Sequence, residues 1–347
     1  MLDALLKKYN RRRKQQYFQS PLFHARKSYA FVGVGMHSLN NYYPLLRYFN
    51  VPVKYICTRQ SDWSNQLSPL FPAAVFTHNI SQVINDPAVA GVFVSADPDE
   101  HNRLATAVLQ SGKALFIEKP PCRQLDELRQ LAGSHPQAIC KVGLQRRHWP
   151  ANPGIKKKCS RALSYIYRFQ TGSYPQGDPL TELFIHPLDY CHYLFGDSFL
   201  QSLTVRRDSA GVTAQLHVGH ANDLSGLIEL STHYTWNDPV EQLSVNTGAE
   251  SLLIEYPGSV QGSPKPARVL HLPTERLFRQ PRVTRQYYNG GPSLIPAMEY
   301  QTLITQGFYG GVESFVRLVE GGDHRESRSD LPSLITTYEL LEKINNA

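Results

Sequence analysis

The stretch with the clearest chemical potential places an acid and an amine at the end of an apolar run. Residues 114–117 are apolar and typical of a short buried parallel strand. Glu118 and Lys119 follow directly, and Pro120 and Pro121 stop the strand and stiffen the chain beyond it. Ligands of open α/β sheets bind beyond the carboxyl ends of the strands, where Lys119 is expected. Taken alone, a charged strand end favours a surface lysine, so the rest of the chain has to supply the context.

A second acid–base pair, Glu182 and His186, lies in an apolar segment predicted as a helix over 180–194. A spacing of four puts both side chains on one helical face, where the carboxylate can orient the imidazole and raise its basicity. Pro187 follows directly and can mark a new first turn, which would loosen this geometry. A core histidine with satisfied hydrogen bonds is the alternative interpretation of His186.

The remaining histidines do not predict a metal site. His192 lies on the same helix, whereas His217 and His220 lie on a predicted strand. A spacing of three puts the side chains of this strand pair on opposite faces, and no cysteine lies near the pair in the sequence. We therefore predict no metal.

The elements that would position Lys119 begin with a predicted dinucleotide-binding turn. Residues 29–32 form a strand, a glycine-rich turn and a helix follow, and the strand 53–57 completes a βαβ unit. Gly33 allows the tight turn, Gly35 lets the backbone approach a pyrophosphate, and Ser38 is small enough to keep helix and strand close. The predicted cofactor contacts of this turn are Gly33, Gly35, Met36, His37 and Ser38.

The end of the second strand favours NADP over NAD. NAD-binding folds usually carry an acid there for the ribose 2′-hydroxyl. Here the residues are Thr58-Arg59-Gln60-Ser61, with no acid until Asp62. Arginine and hydroxyl groups suit a 2′-phosphate, so Thr58 and Arg59 are predicted cofactor contacts. NAD, with Arg59 as an exposed loop residue, remains the alternative.

The pattern along the chain predicts two domains and an extension. Six strands alternate with helices over residues 29–150, which predicts an α/β Rossmann domain with a doubly wound parallel sheet. Residues 151–347 are then expected to form an α+β domain with a large, mostly antiparallel sheet for substrate binding and oligomerisation. Period-two alternation leaves one face of that sheet polar or covered by a partner, which favours a homo-oligomer, a dimer or a tetramer.

The net charge of +7 originates in the first 28 residues. They hold eight basic side chains and one acid, whereas the remaining 319 residues hold 28 of each sign. The body is therefore neutral, and we predict no nucleic-acid binding. Apolar residues at helical spacing lie beside a basic cluster in this extension, at Leu2, Leu5, Leu6 and Tyr9. Two interpretations stay open: a solvated helix on its own domain, or a peripheral contact with anionic lipid or another protein.

Cysteine usage and hydropathy favour a cytoplasmic protein. The five cysteines are odd in number and scattered, without a C-x-x-C pair, which predicts reduced thiols. No apolar run reaches the roughly 18 residues that a membrane span requires.

Together these pieces resemble the Gfo/Idh/MocA family of glucose–fructose oxidoreductase and inositol dehydrogenase-like proteins. The resemblance covers roughly residues 28–346, and Glu118-Lys119-Pro120, which matches the family's E-K-P motif, is its most specific part. The other matching features are the Gly33-Val34-Gly35 turn, Pro98 with His101, the segment Gly143–Arg147, and His186 with Asp189 and Leu194-Phe195-Gly196.

The resemblance implies hydride transfer between NAD(P) and a carbinol carbon of a sugar, nucleotide sugar or cyclitol. Lys119 would bind the reacting hydroxyl and relay its proton, and His186 would be the acid/base. Glu182 stands where the family usually has Asp, one methylene shorter. Further cofactor contacts are predicted at Ser95, Asp97, His101, Glu118 and Lys119. Arg146, Arg147 and Tyr309 are candidates for grasping a phosphate or sugar hydroxyls, with a surface arginine as the alternative for one of the first two.

Two other functions share this fold. One is a non-catalytic sensor or scaffold that kept the cofactor fold, since a fold and its site can outlive an activity. The other is a reductase of a non-sugar substrate such as a linear tetrapyrrole. The complete set of Lys119, Glu182 and His186 favours an enzyme over the sensor.

Overall fold

The computed structural model describes residues 5–6, 25–59, 63–173, 178–274, 283–290, 301–321 and 327–347. The chain divides into two compact units. The first unit comprises residues 1–148 and 295–335, and the second comprises residues 149–294 and 336–347. Most of the basic extension predicted for residues 1–28 lies outside the described residues.

Six parallel strands form the sheet of the first unit, in the order β3-β2-β1-β4-β5-β6. They are β1 (Ser28–Val32), β2 (Val53–Cys57), β3 (Val75–Thr77), β4 (Val89–Val94), β5 (Ala114–Ile117) and β6 (Cys140–Val142). This is the strand order of dinucleotide-binding folds, in which a crevice opens where the order reverses, at the carboxyl ends of β1 and β4. The predicted doubly wound parallel sheet is confirmed.

Short helices connect these strands. They are α1 (Met36–Asn41), α2 (Tyr43–Tyr48), α3 (Trp63–Leu67), α4 (Ile80–Ile84), α5 (Pro98–Gln110) and α6 (Leu125–Ser134), followed by a 3₁₀ turn, Gln145–His148. Helix α5 begins at Pro98, because Asp97 accepts a hydrogen bond from the Asp99 N–H at 3.0 Å and Pro98 occupies the first turn.

The second unit is built around a large mixed sheet. Its strands are β7 (Ala162–Gln170), β8 (Ser198–Asp208), β9 (Gly211–His220), β10 (Ser225–Ser231), β11 (Val240–Thr247), β12 (Glu250–Glu255), β13 (Ser259–Pro264), β14 (Arg268–Val269), β15 (Leu272–Pro273) and β16 (Arg285–Asn289). Eight described strands pair in the order β16-β13-β12-β11-β7-β10-β9-β8, and β14 pairs with β15. Only β7 and β10 run parallel among these described pairs, so the predicted mostly antiparallel sheet is confirmed.

Helices cover one face of this sheet. Helix α7 (Asn152–Cys159) precedes β7, and a π-helical turn (Leu180–Phe184) leads into α8 (Ile185–Phe195). The inward side chains of β7 pack on that segment: the Phe169 ring lies 6.4 Å from Phe184, and the Tyr167 ring lies 6.5 Å from Tyr190. A 3₁₀ turn, Ala221–Asp223, connects β9 to β10.

The chain then returns to the first unit, which differs from the predicted boundaries. Helices α9 (Gln301–Thr305) and α10 (Phe308–Val319) fall within residues 295–335, so the predicted second domain of 151–347 does not hold this segment. The reason is the apolar face of α10. Val312, Phe315 and Val316 are fully buried in the core of the first unit, and the Phe315 ring lies 4.9 Å from Phe93 of β4. A 3₁₀ turn, Pro332–Leu334, and α11 (Ile335–Asn346) close the chain.

Among the described helices, none combines the length and the apolar character that crossing a membrane requires.

Candidate functional site

The nucleotide turn requires glycine at its first position. Gly33 has a φ of +101°, and a Cβ there would lie 2.1 Å from the carbonyl oxygen of Ser95. The Gly33 N–H donates to the Cys57 carbonyl at 2.9 Å, and the Ser95 N–H donates to the Val32 carbonyl at 2.9 Å. The ends of β1, β2 and β4 are thus tied together at the crevice. Ser95, a predicted cofactor contact, lies at this point.

The second glycine leaves room for a ligand. A Cβ at Gly35 would meet no described atom within 4 Å, so the backbone here can be approached closely. The Gly35 N–H donates to the Ser38 hydroxyl at 3.0 Å, and that hydroxyl donates to the Gly35 carbonyl at 2.9 Å. Ser38 is therefore buried support for the turn, whereas Met36 is 65% exposed beside it. These residues fit a dinucleotide pyrophosphate.

A buried carboxylate connects this turn to the candidate amine. Glu118 is 5% exposed. Its Oε1 accepts a hydrogen bond from the Tyr42 hydroxyl and lies 3.3 Å from His37 Nε2, while its Oε2 accepts the Lys119 N–H at 2.9 Å. His37 lies in α1, which follows the turn, and Tyr42 follows α1 directly, so Glu118 connects the backbone of Lys119 to the helix that begins at the turn.

The chain around Lys119 is held on its other side as well. The Lys119–Pro120 peptide bond is cis, and the Pro120 carbonyl lies 2.7 Å from His101 Nδ1. His101 is 1% exposed, and its Nε2 lies 3.2 Å from the Ala96 carbonyl. Lys119 itself is partly exposed. His101 thus supports the backbone of the E-K-P stretch. The direct cofactor contact predicted for His101 stays a prediction.

The residues after β2 differ in their surroundings. Thr58 is buried, and its N–H donates to the Thr77 carbonyl at 3.0 Å. The Arg59 side chain is 79% exposed, with Nη1 3.9 Å from Glu100 Oε1. A pair this exposed holds the guanidinium weakly. Arg59 therefore extends from the end of β2 into solvent, whereas Asp97, a further predicted contact, caps α5.

In the second unit, Glu182 and His186 lie at a change of helix type. The Asp178 carboxylate accepts the N–H groups of Leu180 and Thr181, each at 3.1 Å, and so starts the π-helical turn. Glu182 lies in that turn, His186 in the first turn of α8, and both are buried. Single π-helical turns occur frequently at functional sites.

The predicted continuous helix over 180–194 is therefore a π-helical turn followed by an α-helix. Pro187 lies in the first turn of α8, where its missing N–H leaves no intrahelical bond unmade. Asp189, one turn beyond His186, is 1% exposed. Two carboxyl groups and an imidazole are thus buried within eight residues of one segment.

Of the predicted substrate contacts, Arg147 takes part in a buried charge cluster. Its Nη1 donates to the Ser333 hydroxyl at 2.9 Å and lies 3.7 Å from Asp330 Oδ1, which also pairs with Lys141 Nζ at 2.8 Å. Burial raises the pKa of Asp330, but the charges of Lys141 and Arg147 outweigh it, and the net pKa is lowered. Arg147 therefore stabilises the connection between β6 and the segment before α11.

Tyr309 and Arg146 are also placed by packing in the first unit. The Tyr309 ring lies 4.8 Å from Phe49 and 5.9 Å from Tyr48, in the core beside α2. Arg146 is 7% exposed. The substrate contacts predicted for these residues stay predictions, and the ring contacts of Tyr309 show that it also packs against the core of the first unit.

The histidines considered for a metal have separate partners. His192 lies between the Thr337 and Ser198 hydroxyls, at 2.8 and 2.9 Å. His217 contacts the Ser225 hydroxyl, and His220 contacts the Tyr165 hydroxyl. Within the described part of the chain, no group of three or more His, Cys, Asp or Glu side chains is arranged to hold a metal ion.

Two residues that shape this site, Tyr42 and Gly143, are not predicted by the sequence pattern. Tyr42 bonds Glu118 from the junction of α1 and α2, and a Cβ on Gly143 would lie 2.5 Å from Glu118 Oε1. An aromatic residue four positions after a turn serine carries no signal of such a bond. Gly143 was noted only as the start of a family segment.

A comparison with protein-family models matches residues 27–144 to the model described as "Oxidoreductase family, NAD-binding Rossmann fold". Over 104 residues the chain is 31% identical to an uncharacterized oxidoreductase, YhhX, of Escherichia coli, covering 29% of this chain and 30% of that protein. Over 129 residues it is 25% identical to scyllo-inositol 2-dehydrogenase (NAD(+)) of Bacillus subtilis, covering 33% and 38%. The matches thus span about a third of each curated relative.

The structural similarity to solved proteins covers more of the chain than these sequence matches do. A dehydrogenase from Chromobacterium violaceum superposes with a TM-score of 0.76 at 15% identity, covering 92% of this chain and 94% of that one. At this identity the likeness concerns the fold alone. The two-part architecture of a parallel nucleotide-binding sheet and a larger mixed sheet is therefore shared over nearly the whole chain.

Proposed function

We propose that the protein is an NAD(P)-dependent oxidoreductase of the Gfo/Idh/MocA family, because residues 27–144 match that family's model of an NAD-binding Rossmann fold. The proposed reaction transfers a hydride between nicotinamide and a carbinol or carbonyl carbon of a sugar, nucleotide sugar or cyclitol. The inositol dehydrogenase among its relatives supports this class of substrate.

The observation that carries the proposal is the attachment of Lys119 to the nucleotide turn through Glu118. The Lys119 N–H is bonded to Glu118 at 2.9 Å, and the same carboxylate bonds Tyr42 next to the turn. An amine in this place follows a strand that ends at the cofactor crevice. A surface lysine needs no such buried support.

Each proton-handling residue then has a distinct task. The bound nicotinamide accepts or supplies the hydride. A hydride leaves carbon only as the hydroxyl proton is removed, so a proton acceptor must lie within about 2.6–3.2 Å of that hydroxyl. We assign this contact to the Lys119 amine, which binds the hydroxyl and relays its proton. His186 is the proposed acid/base, and Glu182 is the carboxylate that orients it.

We propose NADP as the preferred cofactor. The support is the exposed guanidinium of Arg59 directly after β2, in a stretch whose first acid is Asp62. A cation there can pair with a 2′-phosphate, whereas NAD-binding folds usually offer an acid to the 2′-hydroxyl. The Bacillus subtilis relative is named for NAD(+), so NAD is the alternative that the experiment below separates.

We also propose that the outer face of the second-unit sheet pairs two copies of the chain. Ile166 of β7 and Leu227 of β10 are partners in register, point away from the helices, and are 54% and 50% exposed. Arg168 and Glu229 form a pair beside them at 3.5 Å. An apolar centre with a polar surround is the anatomy of a protein interface.

The function is tested in two steps. A cofactor that binds the native state should raise the unfolding temperature. NADPH and NADH are compared at equal concentration, and the larger increase identifies the preferred cofactor. A panel of sugars, nucleotide sugars and cyclitols is then assayed by nicotinamide absorbance with the wild type, Lys119→Ala, and Lys157→Ala as an exposed-lysine control. We expect Lys119→Ala to lose turnover while keeping cofactor binding.

Two results would count against this function. Undiminished turnover in Lys119→Ala would show that Lys119 does not handle the proton. Cofactor binding without turnover of any sugar or cyclitol by the wild type would favour the sensor or the non-sugar reductase that share the fold.

A further inference from the structure

Tyr42 is built into the nucleotide turn through its backbone. Its N–H donates to the Ser38 carbonyl at 2.9 Å, and its carbonyl accepts the Leu46 N–H at 2.9 Å. It therefore ends α1 and begins α2 at the same time. Only the six residues of α1 separate Tyr42 from Gly35 of the turn.

The Tyr42 ring has its direction set by neighbouring rings. It is 1% exposed and packs edge-on against three aromatic side chains: Phe116 at 5.4 Å, Phe308 at 5.7 Å and His37 at 5.7 Å between centroids. A buried tyrosine hydroxyl needs a hydrogen-bond partner, and this one donates to Glu118 Oε1.

The two carboxylate oxygens of Glu118 accept hydrogen bonds from different residues. Oε1 accepts from Tyr42, and Oε2 accepts the Lys119 N–H at 2.9 Å. A carboxyl group is planar, so fixing Oε1 also fixes the direction of Oε2. The Tyr42 hydroxyl therefore helps to orient the oxygen that holds the backbone of Lys119, together with His37 Nε2, which lies 3.3 Å from Oε1.

We propose that Tyr42 is a positioning residue for Lys119 and acts through the carboxylate of Glu118. This inference rests on the proposed function, in which the Lys119 amine meets the substrate hydroxyl. A lysine side chain is a flexible stem of four carbons. The position of its amine therefore depends on where the backbone of the residue is held. The anchors are Glu118 before the amine and the His101–Pro120 contact after it.

A purely structural role for the Tyr42 hydroxyl makes a different prediction. A buried hydrogen bond to a carboxylate stabilises the whole fold, and its loss would accelerate opening of the sheet everywhere. A positioning role confines the effect to the Lys119 amide. Residue-resolved amide hydrogen exchange distinguishes the two without any substrate.

The test compares Tyr42→Phe with the wild type and with Tyr29→Phe. Tyr29 is an equally buried tyrosine of the same unit, whose hydroxyl donates to Glu320 at 2.9 Å. We expect at least tenfold faster exchange of the Lys119 amide in Tyr42→Phe. The amides of Glu118 and Ser95, which donate to strand carbonyls, should change less than twofold. Tyr29→Phe should leave the Lys119 amide unchanged.

An unchanged Lys119 amide, or an equal acceleration of Glu118 and Ser95, would overturn the proposal. Should Tyr42→Phe not fold, Glu118→Gln supplies the second variant, because the amide has a single accepting oxygen and cannot accept from the Tyr42 hydroxyl and the Lys119 N–H at the two carboxylate positions. The expected result is again faster exchange at Lys119 alone.

Measurements of activity test the positioning role independently of hydrogen exchange. On a substrate that the wild type turns over, Tyr42→Phe should lower kcat about tenfold while the Kd of the cofactor stays within twofold. A retained kcat would overturn the positioning role. Local acceleration at Lys119 in a protein that turns over no substrate would overturn the proposed enzyme and leave the Tyr42–Glu118–Lys119 linkage standing.

Discussion

Gly143 lies directly against the carboxylate of Glu118. A Cβ at position 143 would be 2.5 Å from Oε1, 2.8 Å from the carboxyl carbon and 3.0 Å from Oε2. A real Cβ atom does not approach other heavy atoms this closely. A side chain at position 143 would therefore require the carboxylate of Glu118 to move. Gly143 follows β6, and Glu118 follows β5, so two neighbouring strand ends form this contact.

The first prediction is that Gly143→Ala displaces Glu118. The added methyl must push the carboxylate off Tyr42 and Lys119, which should destabilise the first unit by about 1–3 kcal/mol, as overpacking of a well-packed core does. Turnover should fall with it. Urea unfolding and the cofactor-dependent assay measure the two effects.

Gly133→Ala is the matched control for this change. Gly133 lies in α6 with nothing within 4 Å of its Cβ position. Alanine there should stabilise the helix by about 0.5–1 kcal/mol. Equal unfolding energies for Gly143→Ala and the wild type would show that the pocket around Glu118 adapts.

The second prediction concerns Arg59 and the cofactor. Arg59→Ala should weaken NADPH binding about tenfold, roughly 1.4 kcal/mol, and leave NADH binding unchanged, because the two cofactors differ at the 2′-phosphate. Glu100→Gln removes the acid 3.9 Å from Arg59 and should tighten NADPH binding slightly. Fluorescence titration at low and high salt measures both, since screening reduces an exposed pairing.

Arg129, on α6, is the control for a general loss of positive charge. It is a half-exposed arginine with a partner three residues earlier, Asp126. Arg129→Ala should leave both affinities unchanged. An NADPH affinity that does not respond to Arg59→Ala would remove Arg59 from the cofactor site.

The third prediction is a pH dependence due to His148. Burial, and then the charge of Lys141, lowers the pKa of His148 to about 4. At a pH between about 4 and the ordinary histidine pKa of about 6.5, His148 is protonated in the unfolded chain and neutral in the folded chain. The free energy of unfolding should therefore decrease as the pH falls from 7 to 4.

The variant His148→Gln isolates this contribution. Between pH 7 and pH 5, the wild type should lose about 1–2 kcal/mol more unfolding free energy than the variant. Urea unfolding at the two pH values measures the difference. His271, exposed on the β14–β15 turn, is the control, and His271→Gln should keep the pH dependence of the wild type. Parallel pH profiles for His148→Gln and the wild type would contradict the lowered pKa.

The fourth prediction concerns the outer face of the second-unit sheet. Ile166→Glu together with Leu227→Glu puts two negative charges at the centre of the proposed interface, where uncompensated charge is costly. We expect a change to monomer in light scattering after size exclusion. Leu163→Glu, also on β7 and 56% exposed, is the control and should keep the assembly of the wild type. An unchanged mass in the double variant would place any interface elsewhere.

Local patterns were sufficient for the framework of the first unit. Strand β1, the glycines at 33 and 35, and strand β2 are recognisable from neighbouring residues, because burial on both faces and a positive φ each leave a local signature. Gly33 is required by the carbonyl of Ser95, which directly follows β4, yet a strand–glycine–helix pattern already indicates it. The E-K-P stretch was likewise visible as a strand end with its charges.

Contacts between distant residues had no such signature. Tyr42 and Glu118 are 76 positions apart, and Arg147 bonds Ser333 across 186 positions. The substrate contact of Arg147 stays a prediction, and nothing in the sequence indicates that the Asp330 carboxylate lies 3.7 Å from its Nη1. Helix α10 was assigned to the second domain by its place in the chain, whereas its apolar face is buried in the first.

The sequence by itself therefore determined the type of fold, the nucleotide turn and the strand end that carries Lys119. Each of these three features is indicated by residues close together in the chain, through the spacing of apolar residues, the position of glycines or the placement of charged side chains. Tertiary structure decided which groups support that lysine and which candidates serve packing. Hydrogen bonds and close contacts depend on where strand ends meet in space, and the chain brings those ends together only after the sheet has formed.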